Sequence, residues 1–498
     1  MWSLTRAFMC PVYALPVDVF RILVGGITFL YFLRTWTEID DFSSPDGLLD
    51  HALLQRIFWA SRMGLFQAGM SEALIRFTYL LALGASLLLV LGVRPRLAAA
   101  ALYLVAVSTY RWNFPVSYVE DGVMHLLLFW SILLPVGTTL TLSDWLAGGR
   151  RVPENWIRRT VPGAAVRLFL INLAMVYVVA GLWKWTSPMW RQGTALYVIL
   201  QLSVSRAPTF WEPRHLPALA AVNHAVLLTE PLLALLVLWP VRPVKWLLVP
   251  VLLAFHLGIV ATMDIPLANL GMAGALVLIL RHDLMRLLCR SGPPPLPAPV
   301  PPARRADRLG AFVVACLALQ MVADIQNPPW RTPTAEAGGP PEEFASERVV
   351  ADVLSVNPFH LPLWMVGISQ SYRLFDWIDD RNFVFRYTLI ERRGGSAVLG
   401  DPRDLFPSSP RSTLLQANLH GVTWAKIPRS RRGELKESIL RRAARRYCLR
   451  RGPVGPVDVF ATVERVVVPE HSAPSVRTSR LLRFTCRPDQ VEISSMAP

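Results

Sequence analysis

The sequence predicts a mainly α, polytopic transmembrane helical bundle of about nine spans, followed by a small C-terminal α+β domain outside the membrane. Three observations predict it. Of the 498 residues, 53% are hydrophobic and only 17% charged, more apolar surface than a soluble domain can hide. Apolar runs recur along the first two thirds of the chain, and arginines cluster in the short loops between them. Beyond residue 345 the chain turns polar, with mixed strand and helix patterns.

The apolar runs fall near residues 17–34, 76–92, 97–110, 122–138, 165–183, 219–240, 246–262, 266–280 and 309–325. Several are shorter than the ~20 residues of a simple crossing, as tilted or partly re-entrant segments would be. The first has Arg6 before it and no cleavage pattern, and reads as a retained signal anchor. If every run crosses, Arg6, Arg94, Arg96, Arg150, Arg151, Arg158, Arg159, Arg242, Lys245 and the arginines at 281–308 share one side. That side is expected to be cytoplasmic, with the N-terminus inside and the C-terminal domain extracytoplasmic, in a multi-pass protein of the cell (inner) membrane. The net charge of +16 is thereby read as topology, with a lipid bilayer and not nucleic acid as partner.

The organisation follows from these runs. Residues 1–292 form the bundle, 293–308 a proline-rich cytoplasmic linker, 309–325 the last transmembrane helix, 326–345 a second linker, and 346–498 the extracytoplasmic domain. In that domain, 383–391 and 457–468 read as strands and 434–447 as a basic helix. Of five cysteines, Cys448 and Cys486 both lie here and are the candidate disulfide of an exported region. No C-x-x-C pair, P-loop, dinucleotide fingerprint, H-E-x-x-H or G-x-S-x-G is present, so neither a metal nor a nucleotide is indicated.

The informative residues are polar ones inside or beside the apolar runs. On this topology Asn113, Tyr118, Glu120, Asp121, His125, Lys184, His224, His256 and Asn269 all occupy one leaflet, which predicts an outward-opening polar cavity. Lys184 is either a snorkelling anchor in an aromatic belt of Trp183, Trp185 and Trp190, or an ammonium kept dry for chemistry. The histidines are interhelical hydrogen-bonders or catalysts. Glu230, mid-span before Pro231, must be paired or protonated, and has either a structural partner such as a neighbouring histidine or backbone donor, or a functional role. Glu120 and Asp121 read as loop solvation.

These residues carry a resemblance. Ala180-Gly181-Leu182-Trp183-Lys184 with Trp190-Arg191-Gln192-Gly193, Phe255-His256-Leu257, and the loop from Arg111-Trp112-Asn113 to Tyr118-Val119-Glu120-Asp121-Gly122 resemble the membrane domain of vitamin K-dependent gamma-carboxylases. The bacterial relatives of that domain are the HTTM (horizontally transferred transmembrane domain) proteins. The likeness extends over residues 10–325, and 363–375, with Gln370, Tyr372 and Phe375, is similar to the segment that follows the membrane domain in bacterial members.

The resemblance implies a lyase in which Lys184 is the base that deprotonates reduced vitamin K or a menaquinone-type hydroquinone. Oxygenation then yields a strong base that takes a γ-proton from a protein glutamate, which adds carbon dioxide. It implies His256 as a second catalytic residue, hydrogen-bonding a quinone oxygen or positioning substrate. Asn113, Tyr118, Trp183, Trp190, His125 and Asn269 become candidate cofactor-binding residues, and a lipid quinone and an exported polypeptide client become partners. The sequence departs from the family pattern at 114–118, which lacks the histidine found after Trp-Asn, and at Trp183, where the animal enzyme has a basic residue. Two classes of function follow: a quinone-epoxidising enzyme, with or without glutamate carboxylation, or a non-catalytic membrane factor that matures or binds an exported polypeptide. A transporter would carry similar intramembrane charges, but no inverted repeat supports one.

Overall fold

The computed structural model describes residues 8–148, 154–238, 242–289, 294–297, 305–326, 363, 367, 382–393, 396–420, 429–468, 476–488 and 490–496. Its larger part is a bundle of α1 (Ala14–Thr37), α2 (Glu72–Leu91), α3 (Pro95–Trp112), α4 (Val119–Leu133), α5 (Ala164–Thr186), α6 (Leu216–Leu238), α7 (Arg242–Thr262), α8 (Pro266–Gly274), α9 (Arg281–Leu288) and α10 (Arg305–Gln326). Among the described residues, five helices are long and apolar enough to cross a membrane: α1, α2, α5, and the stretches Pro213–Ala234 and Pro243–Thr262. A sixth is reached if Pro266–Ile279 and Arg281–Leu288, bent by 65° at their junction, count as one span. The expected fourth run forms a helix of only 15 residues, mostly buried, so much of its apolar surface is covered by protein. In contrast, α2 turns Leu74, Phe77, Leu80, Leu81, Leu87 and Leu88 outward, a face suited to lipid. The last helix starts at Arg305 rather than 309.

One end of the bundle is tied by a buried ion pair that the sequence reading did not single out. Asp18 accepts from the amides of Gly137, Thr138 and Thr139 at 2.6, 3.0 and 2.7 Å, from the Thr139 hydroxyl at 2.9 Å and from Arg21 Nε at 2.9 Å. Arg21 also donates to the carbonyls of Leu89, Val90 and Leu140 at 2.6–2.7 Å. The pair thereby joins the start of α1, the end of α2 and the segment after α4. Both side chains are completely buried, and hydrogen bonds on every side replace the water that each charge has lost. A two-stranded ribbon, β1 (Val12–Tyr13) against β2 (Thr160–Val161), closes the same end.

The other end carries the C-terminal unit. β3 (Phe383–Arg393), β4 (Ser396–Gly400), β5 (Val454–Arg465), β6 (Val476–Cys486) and β7 (Val491–Met496) form an antiparallel sheet in the order β4-β3-β5-β6-β7. Val457, Val459 and Ala461 alternate inward along β5, as a sheet with one covered face requires. Two helices accompany it, α11 (Pro410–Leu419) and α12 (Arg429–Arg451). On α12, Leu435, Ile439, Ala443 and Tyr447 recur every four residues and are fully buried, while the arginines between them face outward or toward the bundle. Cys448 of α12 and Cys486 of β6 are joined by a disulfide, and Cys10, Cys289 and Cys316 are free.

This unit is not a separate bead. Its core is continuous with Phe42, Leu48, Leu49, Leu53 and Leu54 from the α1–α2 connection and with Phe114 and Val116 before α4. Leu363, expected in the exterior domain, is buried in the core of the bundle. Most of 363–375, the second linker apart from Gln326, and most of 293–304 lie outside the described residues.

Candidate functional site

Lys184 does not snorkel. Its side chain is 4% exposed, and its ammonium donates to Glu230 Oε2 at 2.6 Å. The sequence brings the two together through a close approach of α5 and α6. A Cβ on Gly181 would lie 2.5 Å from Pro231 Cγ, so only glycine lets the two helices approach this closely. Pro231 lacks an N–H and cannot continue the helix ladder there. Glu230, the residue before it, thus reaches the last turn of α5, where Lys184 lies one turn beyond Gly181. The partner of Glu230 is this lysine and not the expected histidine or backbone donor, for a carboxylate deep among apolar side chains is best met by a full opposite charge. The Trp190 ring covers the ammonium at 5.4 Å. Trp183 and Trp190 are buried, and of the expected aromatic belt only Trp185 is exposed.

A second hydrogen-bonded chain converges on the same helix. His256 Nε2 and the Tyr177 hydroxyl lie 2.8 Å apart, and His256 Nδ1 is 2.9 Å from Asn269 Oδ1. The Asn269 amide donates to Ile265 O at 2.8 Å, which fixes the orientation of its oxygen toward the imidazole. Tyr177 is two turns before Lys184 on α5 and within electrostatic range of Glu230. All five residues are buried. The arrangement therefore places an ammonium, a carboxylate, a phenol and an imidazole among apolar helices, with α5 common to both pairs.

A third cluster links this region to the C-terminal unit. Glu120 and Asp121, expected to be solvated, are fully buried. Asp121 accepts from Tyr31 at 2.5 Å, from Arg411 of α11 at 2.7 Å and from the Tyr118 amide at 2.8 Å. Arg411 also meets Glu38 at 3.2 Å and lies over the Tyr118 ring at 5.0 Å. Burial works against its charge, yet Asp121, Tyr31, Tyr118 and Glu38 together hold its guanidinium well above the usual arginine range. Burial likewise pushes the Glu38 carboxyl up, with Arg411 pulling the other way. Tyr118 donates to Glu120 at 2.6 Å, and Glu120 accepts from the Leu267 amide at 2.8 Å, two residues before Asn269. A route of side chains thus runs from α11 through the start of α8 to His256.

The remaining predicted residues do not join these groups through any bond among the described residues. Asn113 donates to Ser43 at 2.8 Å, beside Trp112, on which His51 stacks at 3.7 Å. Burial lowers the His51 pKa to about 3, so that ring is neutral packing. His125 sits edge-on to Tyr103 and Tyr110 at 6.2 and 5.4 Å. His224 is on the surface, 3.2 Å from Arg191 O. Most of these buried groups are paired within the protein, while Asn113 Oδ1 and His125 Nε2 are buried without a hydrogen-bond partner among the described residues. A cavity of about 420 Å³ lies instead where the bundle meets the C-terminal unit, lined by Ser203, Asp264, Phe385, Tyr387, Arg403 and Gln416 among others. Tyr177, Arg411 and the Lys184–Glu230 partnership were missed. Charge balance offered one usable signal, since a mid-span carboxylate and a helix-end lysine on successive long helices are natural partners.

Among the described residues, no group of three or more His, Cys, Asp or Glu side chains is placed to hold a metal ion. Comparison with family models, with curated proteins and with solved structures finds no match for this chain.

Proposed function

We propose that this chain is a gamma-carboxylase-like (HTTM) membrane protein that acts on a reduced quinone, with Lys184 as the base and epoxidation of the quinone as the outcome. Coupled carboxylation of a glutamate on an exported polypeptide is the fuller form of the same reading. The observation that carries it is the buried Lys184–Glu230 pair beside Tyr177, His256 and Asn269. An amine accepts a proton only after giving one up, and Glu230 at 2.6 Å is positioned to take it.

The residues present fit such a ligand. Tyr177, His256 and Asn269 supply donors and acceptors for a ring oxygen, and Trp190 offers an aromatic face. Leu182, Trp185, Leu228 and Leu232 are exposed on the outer surfaces of α5 and α6, so a lipid-soluble molecule can approach from the side. When bound, a reduced quinone supplies the electrons that reduce oxygen. Lys184 and Glu230 handle its proton, and His256, held by Asn269, orients it.

This reading includes about nine passages through the membrane, the N-terminus and arginine-rich loops in the cytoplasm, and the C-terminal unit outside. The Cys448–Cys486 disulfide supports an oxidising compartment for the C-terminal unit.

The deciding experiment follows epoxide formation from vitamin K or menaquinone hydroquinone by purified wild-type protein and by Lys184→Ala. Turnover in the wild type that disappears in a folded Lys184→Ala protein supports the enzyme. Absence of epoxide where an authentic carboxylase works defeats it. The cavity at the bundle's junction with the C-terminal unit, which none of the predicted site residues lines, favours the second reading, a non-catalytic factor that binds an exported polypeptide. In that case Arg403→Glu in the cavity wall, and not Lys184→Ala, abolishes the cellular phenotype.

A further inference from the structure

At the end of the bundle tied by Asp18 and Arg21, basic side chains gather without matching acids. Arg167, in the first turn of α5, donates through Nη1 to the carbonyls of Phe8 at 2.9 Å and Cys10 at 2.7 Å. It reaches them because residue 163 is glycine; a Cβ there would lie 2.1 Å from that nitrogen. Arg281 opens α9 and donates to Leu278 O at 2.8 Å, while its Nε, shut off from solvent, has no partner among the described residues. Arg167 and Arg281 are close enough for their charges to oppose each other, and both, with Lys245, bear on His282. Arg286 follows on the next turn of α9 and acts on Tyr13. Among the described residues the acid acting on this group is Asp283, and it is ion-paired with Lys245. Arg167, Arg281 and Arg286 form no ion pair among the described residues.

Arg167 and Arg281, whose like charges oppose each other, are electrostatically strained, and an anion that bridges them removes the strain, with Arg286 exposed on the next turn of α9 to meet it from outside. The surroundings indicate where the anion comes from. α9 bends 65° from the helix before it, buries Asp283 and Met285, and turns Leu287 and Leu288 outward. Trp145 and Leu146 are likewise exposed on the helix Leu142–Gly148, whose Asp144 meets Arg159 just before β2. Arginines beside outward leucines at the end of an apolar bundle match a phosphate with acyl chains attached. We infer that Arg167, Arg281 and Arg286 form a binding site for the phosphate of an anionic lipid headgroup.

The test uses the full-length protein in detergent and counts retained lipid by native mass spectrometry. It is supplied in turn with phosphatidylglycerol and phosphatidylcholine, and melting is recorded with either lipid or with inorganic phosphate. Arg167 also anchors the N-terminal segment, so Arg281→Gln and the exposed Arg286→Gln carry the test, with Arg94→Gln as a charge-loss control. Phosphatidylglycerol should be retained over phosphatidylcholine, each cluster variant should lower its retention about fivefold, and Arg94→Gln should not. Equal retention of the two lipids, or retention unchanged in both cluster variants, overturns the site. Inorganic phosphate that raises the melting temperature as much as phosphatidylglycerol, with no lipid retained, overturns the lipid assignment in favour of a soluble anion.

Discussion

Two of the buried ion pairs, Asp18–Arg21 and Lys184–Glu230, are built on opposite principles. Asp18 and Arg21 are saturated: the carboxylate accepts five hydrogen bonds and the guanidinium reaches three further carbonyls at 2.6–2.7 Å. Lys184 and Glu230 share a single hydrogen bond and an aromatic face among the described residues. An ammonium has three protons to donate and a carboxylate about four sites to accept them, so this second pair retains capacity that the first has used up. A saturated pair holds a fold in one arrangement. An unsaturated one, next to a phenol and an imidazole, can exchange partners, which is what proton transfer requires.

The contrast is broken most forcefully at Arg21. Arg21→Met strands Asp18 among amides that no longer balance its charge and unties α1 from α2, and should cost about 3–5 kcal/mol. Thermal unfolding of the purified protein, or the yield of folded protein in membranes, reads this directly; a loss below ~1 kcal/mol would mean that the tie is ornamental. Gly181→Ala comes next. The new methyl must displace Pro231, which carries Glu230 away from Lys184, at roughly 1–3 kcal/mol in stability. If the pair performs chemistry, quinone turnover should fall far more, on the order of 100-fold for a shift near 1 Å.

Titration separates the C-terminal unit from both pairs. His420 stacks on Phe385 at 4.9 Å and lies 3.1 Å from the Tyr387 hydroxyl, and burial lowers its pKa to about 4, with Lys436 adding to the effect. A folded pKa below the unfolded 6.5 means stability that is present above pH 6.5 and lost as pH falls toward 4. Allowing for solvent screening, the loss is about 1–2 kcal/mol. Glu38 and Asp41, pushed up by burial, act in the opposite sense, so the comparison must be between wild type and His420→Gln. Melting curves from pH 7 to pH 4.5 should show a shallower fall in the variant; parallel curves would place His420 in contact with solvent.

How far the sequence could be read differs between these regions for physical reasons. Helical runs and the strands near 383 and 457 were legible because hydrophobic periodicity is local. The crossing count was not, since a 15-residue helix such as α4 can be apolar merely because neighbours bury it. Lys184, His256 and Asn269 stood out as polar residues in apolar runs, and two of them are indeed bonded to each other. Glu230 was recognised as needing a partner, but the partner depends on the contact between Gly181 and Pro231, 50 residues apart, which no window of sequence displays. Arg411 was invisible for the same reason: in a chain with 51 lysines and arginines, nothing local marks the one that enters the bundle.

The smallest expected change in stability is the most telling. Removing Lys184 alone leaves Glu230 buried without its countercharge, so a loss of function in that variant confounds folding with chemistry. Lys184→Met with Glu230→Gln removes both charges while keeping the volume, and neutral substitution of a buried pair is often without cost. The double variant should therefore melt within about 1 kcal/mol of wild type. Applied to Asp18 and Arg21, the same exchange should still be severe, because the amides and carbonyls around that pair would lose their charged partners. If the Lys184–Glu230 double variant is stable and retains quinone turnover, the pair is only a helix clamp and the base lies elsewhere. If it is stable and inactive, the lost protons are the function, and the hydrogen bonds that Asp18 uses for folding are those that Lys184 holds in reserve.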